Sequence, residues 1–254
     1  MRFRQLFRRM RRRGRQDLCE PSLKGAVEEF ERHVGYRFAD PNLVCWALTH
    51  RSYLNSNGNN ELPGSNERLE FLGDSVLELA VNEFLYHRYP DLQEGELTKM
   101  KSLLVSRGVL AEQAKRLNLG RHLFLSDAER ESGGSFRASI LADGFEAVIG
   151  AFYLDGGLHR AGKFIDTHLL EDVDRILGNR SHVNYKSVLQ EIIQERSKTY
   201  PRYRILSQAG PDHRKVFTVE VTVKGKQLGL GKGTNKKRAE QAAAQNGLER
   251  LGLL

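Results

Sequence analysis

The apolar residues of this chain keep two different rhythms, and the change between them limits the folds open to it. From Leu23 to about Leu177 they recur every three or four residues, as in Val27, Phe30, Val34 and again in Leu43, Val44, Ala47, Leu48. That is the period of amphipathic helices. After a short polar run, Gly178 to His182, the rhythm changes. Val216 to Val223 alternates strictly, with Phe217, Val219, Val221 and Val223 on one side and Thr218, Glu220 and Thr222 on the other, as a half-buried antiparallel strand requires. The reading is therefore multi-domain: a basic arm over residues 1–22, an all-α domain over 23–177, a linker over 178–183 and a small α+β domain over 184–254.

Within the helical part, one long helix is expected from Glu67 to Tyr89, stopped by Pro90. Further helices are expected over Glu96 to Leu117, over Ile140 to Leu154 (closed by Gly156-Gly157) and over Leu158 to Leu177. Asn55 to Ser65 reads as a polar loop. The second part reads as helix (Tyr185 to Ser197), three strands (Tyr203 to Gln208, Val216 to Val223, Lys226 to Gly233) and an Ala-rich helix from Lys236 to Leu251.

Charge follows the same division. The net charge is +8, only a weak hint of a polyanionic partner. Residues 1–16 hold eight arginines and no acid, residues 17–180 carry a net −8, and residues 181–254 a net +8. The longest apolar run, Ala147 to Leu154, is far short of the ~20 residues of a membrane span, so no membrane partner is expected. No apolar segment follows the N-terminal arginines as a secretory signal would require. Cys19 and Cys45 are too few for a disulfide framework or a four-cysteine zinc site and read as thiols of a reducing cytoplasm. In the arm, Phe3, Leu6, Phe7 and Met10 form one helical stripe among arginines. Contact with RNA, lipid or a partner, a transit-like segment, a disordered tail and an over-extended start (with Met10 as initiator) all stay open.

The segment Asn66-Glu67-Arg68-Leu69-Glu70-Phe71-Leu72-Gly73-Asp74-Ser75 is the most informative. At ~100° per residue, Glu67, Glu70 and Asp74 share an arc of about 60°, with Leu69, Leu72, Val76 and Leu79 opposite. Such an acidic face is commonly just solvated. A second pair, Asp143 and Glu146, stands in the apolar stretch SILADGFEAVIGAFYLD, where a carboxylate is costly unless paired or metal-bound. Two such helices face to face would make an all-oxygen site suited to Mg²⁺ or Mn²⁺, able to hydrolyse a phosphodiester. Glu78 reads as a salt-bridging residue, Ser139 as a helix N-cap, and His50 as a structural hydrogen-bonding group. Neither a phosphate-binding GxxxxGK[ST] loop nor HExxH occurs.

Asn66 to Asp74 resembles the signature helix of the ribonuclease III family. Ser139-Ile140-Leu141-Ala142-Asp143 with Glu146 resembles the family's second acidic helix. Ala47-Leu48-Thr49-His50-Arg51-Ser52 and Glu94-Gly95-Glu96-Leu97 also match, and the C-terminal segment resembles a double-stranded-RNA-binding domain. The resemblance implies an all-α nuclease domain followed by an α-β-β-β-α binding domain. It makes Glu70, Asp74, Asp143 and Glu146 the metal ligands, with Asp74 and Glu146 most critical for hydrolysis. It gives Glu67 and Glu94 supporting roles, and places Phe71 against a second subunit. Gly144, where the family carries a bulkier residue, implies a locally looser helix. The Arg-rich arm has no counterpart.

A reader of A-form RNA needs polar side chains for the minor groove and cations for phosphates. Gln190 and Gln194, with Glu191 beside them, share one helix face. His213 lies in the loop Gly210-Pro211-Asp212-His213. Lys236 and Lys237 open the last helix, whose N-terminus also favours phosphate. The resemblance assigns these same places to RNA contact. The expected activity is a homodimeric, cytoplasmic, Mg²⁺-dependent endonuclease of double-stranded RNA, with Mn²⁺ able to substitute. It would leave 5′-phosphate and 3′-hydroxyl ends and process ribosomal RNA precursors and some messenger RNAs. The alternative is a non-catalytic RNA-binding protein on a dead nuclease scaffold, which would have no need for all six acids. An enzyme of small diphosphates leaves the C-terminal domain unexplained.

Overall fold

A computed structural model describes residues 21–57, 64–179, 184–211 and 214–254. Nearly all of the basic arm, part of the polar loop before residue 65, residues 180–183 of the expected linker and His213 lie outside them. The chain divides into two compact units between residues 182 and 183.

The first unit is helical. Its elements are α1 (Pro21–Val34), α2 (Pro41–Leu48), α3 (Arg51–Asn57), α4 (Glu67–Arg88), α5 (Glu94–Leu104), α6 (Arg107–Arg116), the short α7 (Leu119–His122) and α8 (Asp127–Glu131), α9 (Ala138–His168) and α10 (Val173–Gly178). α9 runs through the centre. Its first half, apolar apart from Ser139, Asp143 and Glu146, buries Ile140, Leu141, Ala142, Phe145, Ala147, Val148, Ile149 and Phe152, as a helix must when neighbours surround it. α4 crosses α9, while α2 and α6 pack on its other sides. Two glycines set the crossing of α4 and α9. A Cβ on Gly73 would lie 2.7 Å from the Glu146 carbonyl carbon and 2.9 Å from the Gly150 nitrogen, and one on Gly150 would lie 3.1 Å from the Leu69 carbonyl carbon. The two backbones touch where any larger residue would hold them apart.

Several expected boundaries move. The Glu96 to Leu117 pattern is two helices, because Ser106 turns the chain and its Oγ accepts from the Val109 amide at 3.4 Å as a new N-cap. α5 starts earlier, at Glu94, where Gln93 and Glu96 form a capping box that satisfies orphan amides reciprocally. Gly156-Gly157 interrupts the helix as expected, since Gly157 leaves helical geometry at φ +73° and ψ −172°. α9 is therefore two helical stretches in sequence, the second running from beyond Gly157 to His168. The helix expected from Leu158 to Leu177 is divided at Leu169 by a 3₁₀ turn over Leu170–Asp172, and Gly178 belongs to the last helix rather than to a linker. Ser139 stands inside α9, with Arg137 at the N-cap position and no side-chain cap, since a 3₁₀ turn at Gly134–Phe136 leads straight into the helix. Gly144 is buried in α9, and a Cβ there would meet the flexible ends of Leu123 at 3.2 Å and Leu119 at 3.5 Å.

The second unit is α11 (Tyr185–Ser197), β1 (Arg202–Ala209), β2 (Val216–Val223), β3 (Lys226–Gly233) and α12 (Lys236–Arg250). The antiparallel sheet has the order β1-β2-β3, with Tyr203 opposite Val221 and Val221 opposite Gly229. Its inner face buries Val219 and Val221 against Leu189, Ile193, Ala239, Ala243, Ala244 and Leu248 of the two helices. Small faces small where alanine-rich α12 lies on glycine-rich β3. Glu220, expected on the solvent side, is 7% exposed. Arg204 donates to it at 2.7 Å and Gln227 at 3.1 Å, which satisfies a carboxylate that burial would otherwise penalise.

Candidate active site

α4 and α9 cross so that carboxylates of both meet. Glu70, Asp143 and Glu146 each offer an oxygen within 4.8 Å of the other two, and all three are half-buried. Glu70 comes from the first turn of α4. Asp143 and Glu146, three residues apart, share a face of α9. Asp74, one turn beyond Glu70, is exposed and stands outside this triplet. Its charge nevertheless leads those acting on Glu146, so it borders the triplet on the Glu146 side.

The electrostatics are those of crowded, partly buried acids. Burial pushes Glu146 up to about 8, helped by the charges of Asp74, Glu70 and Asp143. Burial also raises Glu70, with Asp143 and Glu67 adding to it, and raises Asp143 and Asp74, the latter also through Glu78. Three mutually repelling carboxylates held by rigid helices are stabilised by protons or by a hard divalent cation, and their all-oxygen donor set fits the latter.

A sign follows for stability. Between the ordinary carboxylate range and about pH 8 the folded, metal-free chain binds more protons at this cluster than the unfolded chain does, so the cluster's contribution to stability falls as pH rises. Adding Mg²⁺ should raise the melting temperature little at about pH 5 and by several degrees at about pH 8. An equal gain at both, measured by calorimetry, would detach the effect from these acids.

The remaining acids are placed differently. Glu67, exposed, accepts from Ser65 Oγ at 2.7 Å and pairs with Arg51 at 3.6 Å. Glu94 is exposed at the start of α5 and accepts from Thr98 Oγ1 at 2.9 Å; it does not join the triplet. Glu78 pairs with Lys101 at 3.0 Å. His50 Nδ1 is held by Ser52, at 2.8 Å from its Oγ, and burial lowers the imidazole's pKa. Sequence pattern gave no sign of Arg107, whose charge opposes the upward shifts of Glu70, Asp143 and Glu146; only the packing of α6 along α9 brings it there.

Phe71 is 78% exposed on α4. Leu79, which helical spacing assigned to the core side, is exposed as well, as is Tyr86. The three fall on one stripe, because α4 has an acidic, a buried and an open apolar flank rather than two faces.

In the second unit, Gln190, Glu191 and Gln194 are exposed on α11. Asn184 caps that helix, accepting from the Ser187 amide at 3.3 Å, and its oxygen also accepts from Gln241 Nε2 of α12 at 2.7 Å. Lys186 reaches Glu240 at 2.7 Å, so α11 and α12 are clamped twice. Lys236 and Lys237 are exposed in the first turn of α12. Asn235 caps that turn, accepting from the Arg238 amide at 2.8 Å.

The fold and its acidic cluster are those of a helical nuclease domain, joined to a double-stranded-RNA-binding domain. The ribonuclease-III-like family model matches residues 40–173, and the double-stranded RNA binding motif matches residues 185–251. Curated relatives named Ribonuclease 3 include those of Desulforamulus reducens, 45% identical over 89% of this chain and 91% of its own length, and of Wolinella succinogenes, 43% identical over 88% and 91%. The solved nuclease domain of ribonuclease III from Campylobacter jejuni, described for a region involved in its dimer formation, is 40% identical. It matches with a TM-score of 0.51 over 56% of this chain and 97% of its own. The chain belongs to the ribonuclease III family and is a double-stranded-RNA endoribonuclease. No helix among its described residues is long and apolar enough to cross a membrane.

Proposed function

We propose that this enzyme acts as a cytoplasmic, Mg²⁺-dependent homodimer that cuts both strands of an RNA duplex and leaves 5′-phosphate and 3′-hydroxyl ends with short 3′ overhangs. Precursors of ribosomal RNA and some messenger RNAs are its substrates. The carboxylate triplet at the crossing of α4 and α9 carries this reading. Glu70, Asp143 and Glu146, with Asp74 at the edge, would hold the cation. When bound there, Mg²⁺ (or Mn²⁺) supplies an activated water and offsets charge on the departing 3′ oxygen. Glu67 and Glu94 support the geometry from the rim. The exposed stripe of Phe71, Leu79 and Tyr86 suits a self-complementary contact about a two-fold axis, so each subunit cuts one strand.

Gln190, Glu191, Gln194 and His213 would read the minor groove, and Lys236 and Lys237 the phosphates between. The double variant Lys236→Ala, Lys237→Ala should weaken duplex binding and reduce the slope of log Kd against log salt by about 1 to 2. An unchanged slope in a titration from low to moderate KCl would remove these lysines from the phosphate contact. The proposed function itself is tested by incubating a long RNA duplex, with single strands as control, in Mg²⁺ and in chelator. Cleavage of the duplex only, in Mg²⁺ only, is expected. Binding without cleavage in any divalent cation would favour the dead-scaffold alternative.

A further inference from the structure

Three fixed cations bear on the carboxylate centre, and two of them are already engaged. Arg51 pairs with Glu67 at 3.6 Å and Lys101 with Glu78 at 3.0 Å. Arg107 differs. It is the first residue of α6, directly after the capping Ser106, and its side chain is exposed. Its guanidinium makes no hydrogen bond or ion pair among the described residues.

Its position is set by packing. α6 lies along α9, the helix that carries Asp143 and Glu146. Of the three cations, Arg107 is the one whose charge reaches every member of the triplet. Burial raises Glu70, Asp143 and Glu146, and Arg107 opposes all three shifts, whereas Arg51 acts on Asp143 and Lys101 on Asp74. His50 also faces Asp143, and burial lowers its imidazole's pKa.

Arg107 approaches none of the three acids within ion-pair distance and keeps its donor fork open. A guanidinium with free N–H groups is shaped to hold two oxygens of a phosphodiester. Residues 17–180 around the acids carry a net −8, so a fixed cation bearing on the carboxylates is placed to meet a polyanion. We infer that Arg107 donates to a non-bridging phosphate oxygen of the RNA strand lying in the centre, next to the bond that is cut. This contact rests on the nuclease reading of the same site.

The test is single-turnover cleavage of short RNA duplexes. One set is unmodified; another carries a single uncharged methylphosphonate at each linkage flanking the cut in turn. Arg107→Ala should lower kcat/KM on the unmodified duplex by about 10- to 100-fold, and Arg107→Lys should recover part of the loss. One methylphosphonate position should cost the wild-type enzyme a similar factor and cost Arg107→Ala nothing further. A merely structural arginine would not produce that coupling. Because the side chain is exposed, the melting temperature should hold; if Arg107→Ala melts early, Arg107→Gln carries the same comparison. Wild-type kcat/KM in the variant overturns the contact, as does an equal loss in both enzymes at every modified linkage. Failure of the wild-type enzyme to cut the unmodified duplex defeats the nuclease reading instead, and the contact with it.

Discussion

A Gly73→Ala enzyme should melt about 10 °C lower than the wild type and should cut RNA at least about 100-fold more slowly. The added methyl would fall on the backbone of α9, within 2.7 Å of the Glu146 carbonyl carbon and 2.9 Å of the Gly150 nitrogen. A side chain in the way can rotate; a helical carbonyl cannot. The crossing must open, and overpacking of this kind costs about 3 kcal/mol or more where the backbone itself is the obstacle. The consequence for chemistry is direct, since Glu70 and Asp74 ride on one helix and Asp143 and Glu146 on the other. Displacing ligands by ~1 Å is enough to cost two orders of magnitude. Differential scanning calorimetry and cleavage rates should move together. A variant that melts normally yet fails to cut would mean that the crossing tolerates the methyl and the site is disturbed in some other way. Normal melting with normal cutting would mean the contact is unimportant.

Glu146→Gln should abolish cleavage, by at least about 10³-fold, while leaving duplex affinity nearly intact. Glu146 is the most perturbed of the carboxylates, raised to about 8 mainly by burial. Its amide replacement keeps the shape and removes the charge that a cation needs. The same change relieves repulsion in the metal-free chain. The variant should therefore melt higher than the wild type without metal near pH 8, and should gain little on adding Mg²⁺. Retained Mg²⁺-dependent cleavage by the purified variant would reject Glu146 as part of the centre. Loss of duplex binding would show that the carboxylate supports the fold rather than the reaction.

Much of the architecture is legible in the chain because its elements are locally consistent. The eight-residue alternation of Val216 to Val223 is β2 residue for residue, and Pro90 marks the end of α4 to within two residues. What escapes a linear reading is decided by contacts distant in sequence. The apolar rhythm runs unbroken through Val105, so nothing there announces that Ser106 starts a new helix. Gly156-Gly157 does stop the helix, but Ser139 does not start it: the 3₁₀ turn at Gly134–Phe136 feeds the chain into α9 two residues earlier than a serine cap would suggest. Helical spacing groups Glu67, Glu70 and Asp74, but which of them approaches Asp143 and Glu146 depends on the angle and depth of the crossing. Arg107 is invisible for the same reason, since it sits 36 residues from Asp143 in the chain and meets the centre only through the packing of α6. Leu79 lies opposite the acids by helical spacing and is nonetheless exposed, because α4 serves three boundaries rather than two.

That three-sidedness has a practical cost. Along its first four turns α4 gives one flank to the centre, one to the core and one to the exposed stripe of Phe71 and Leu79. No side of it is spare. A fluorophore, cross-linker or affinity tag placed anywhere on Glu67 to Leu79 would disturb one of the three, however accessible the position looks. Attachment belongs on the second unit, away from α11 and the first turn of α12, where the end of α12 at Glu249 and Arg250 is open to solvent.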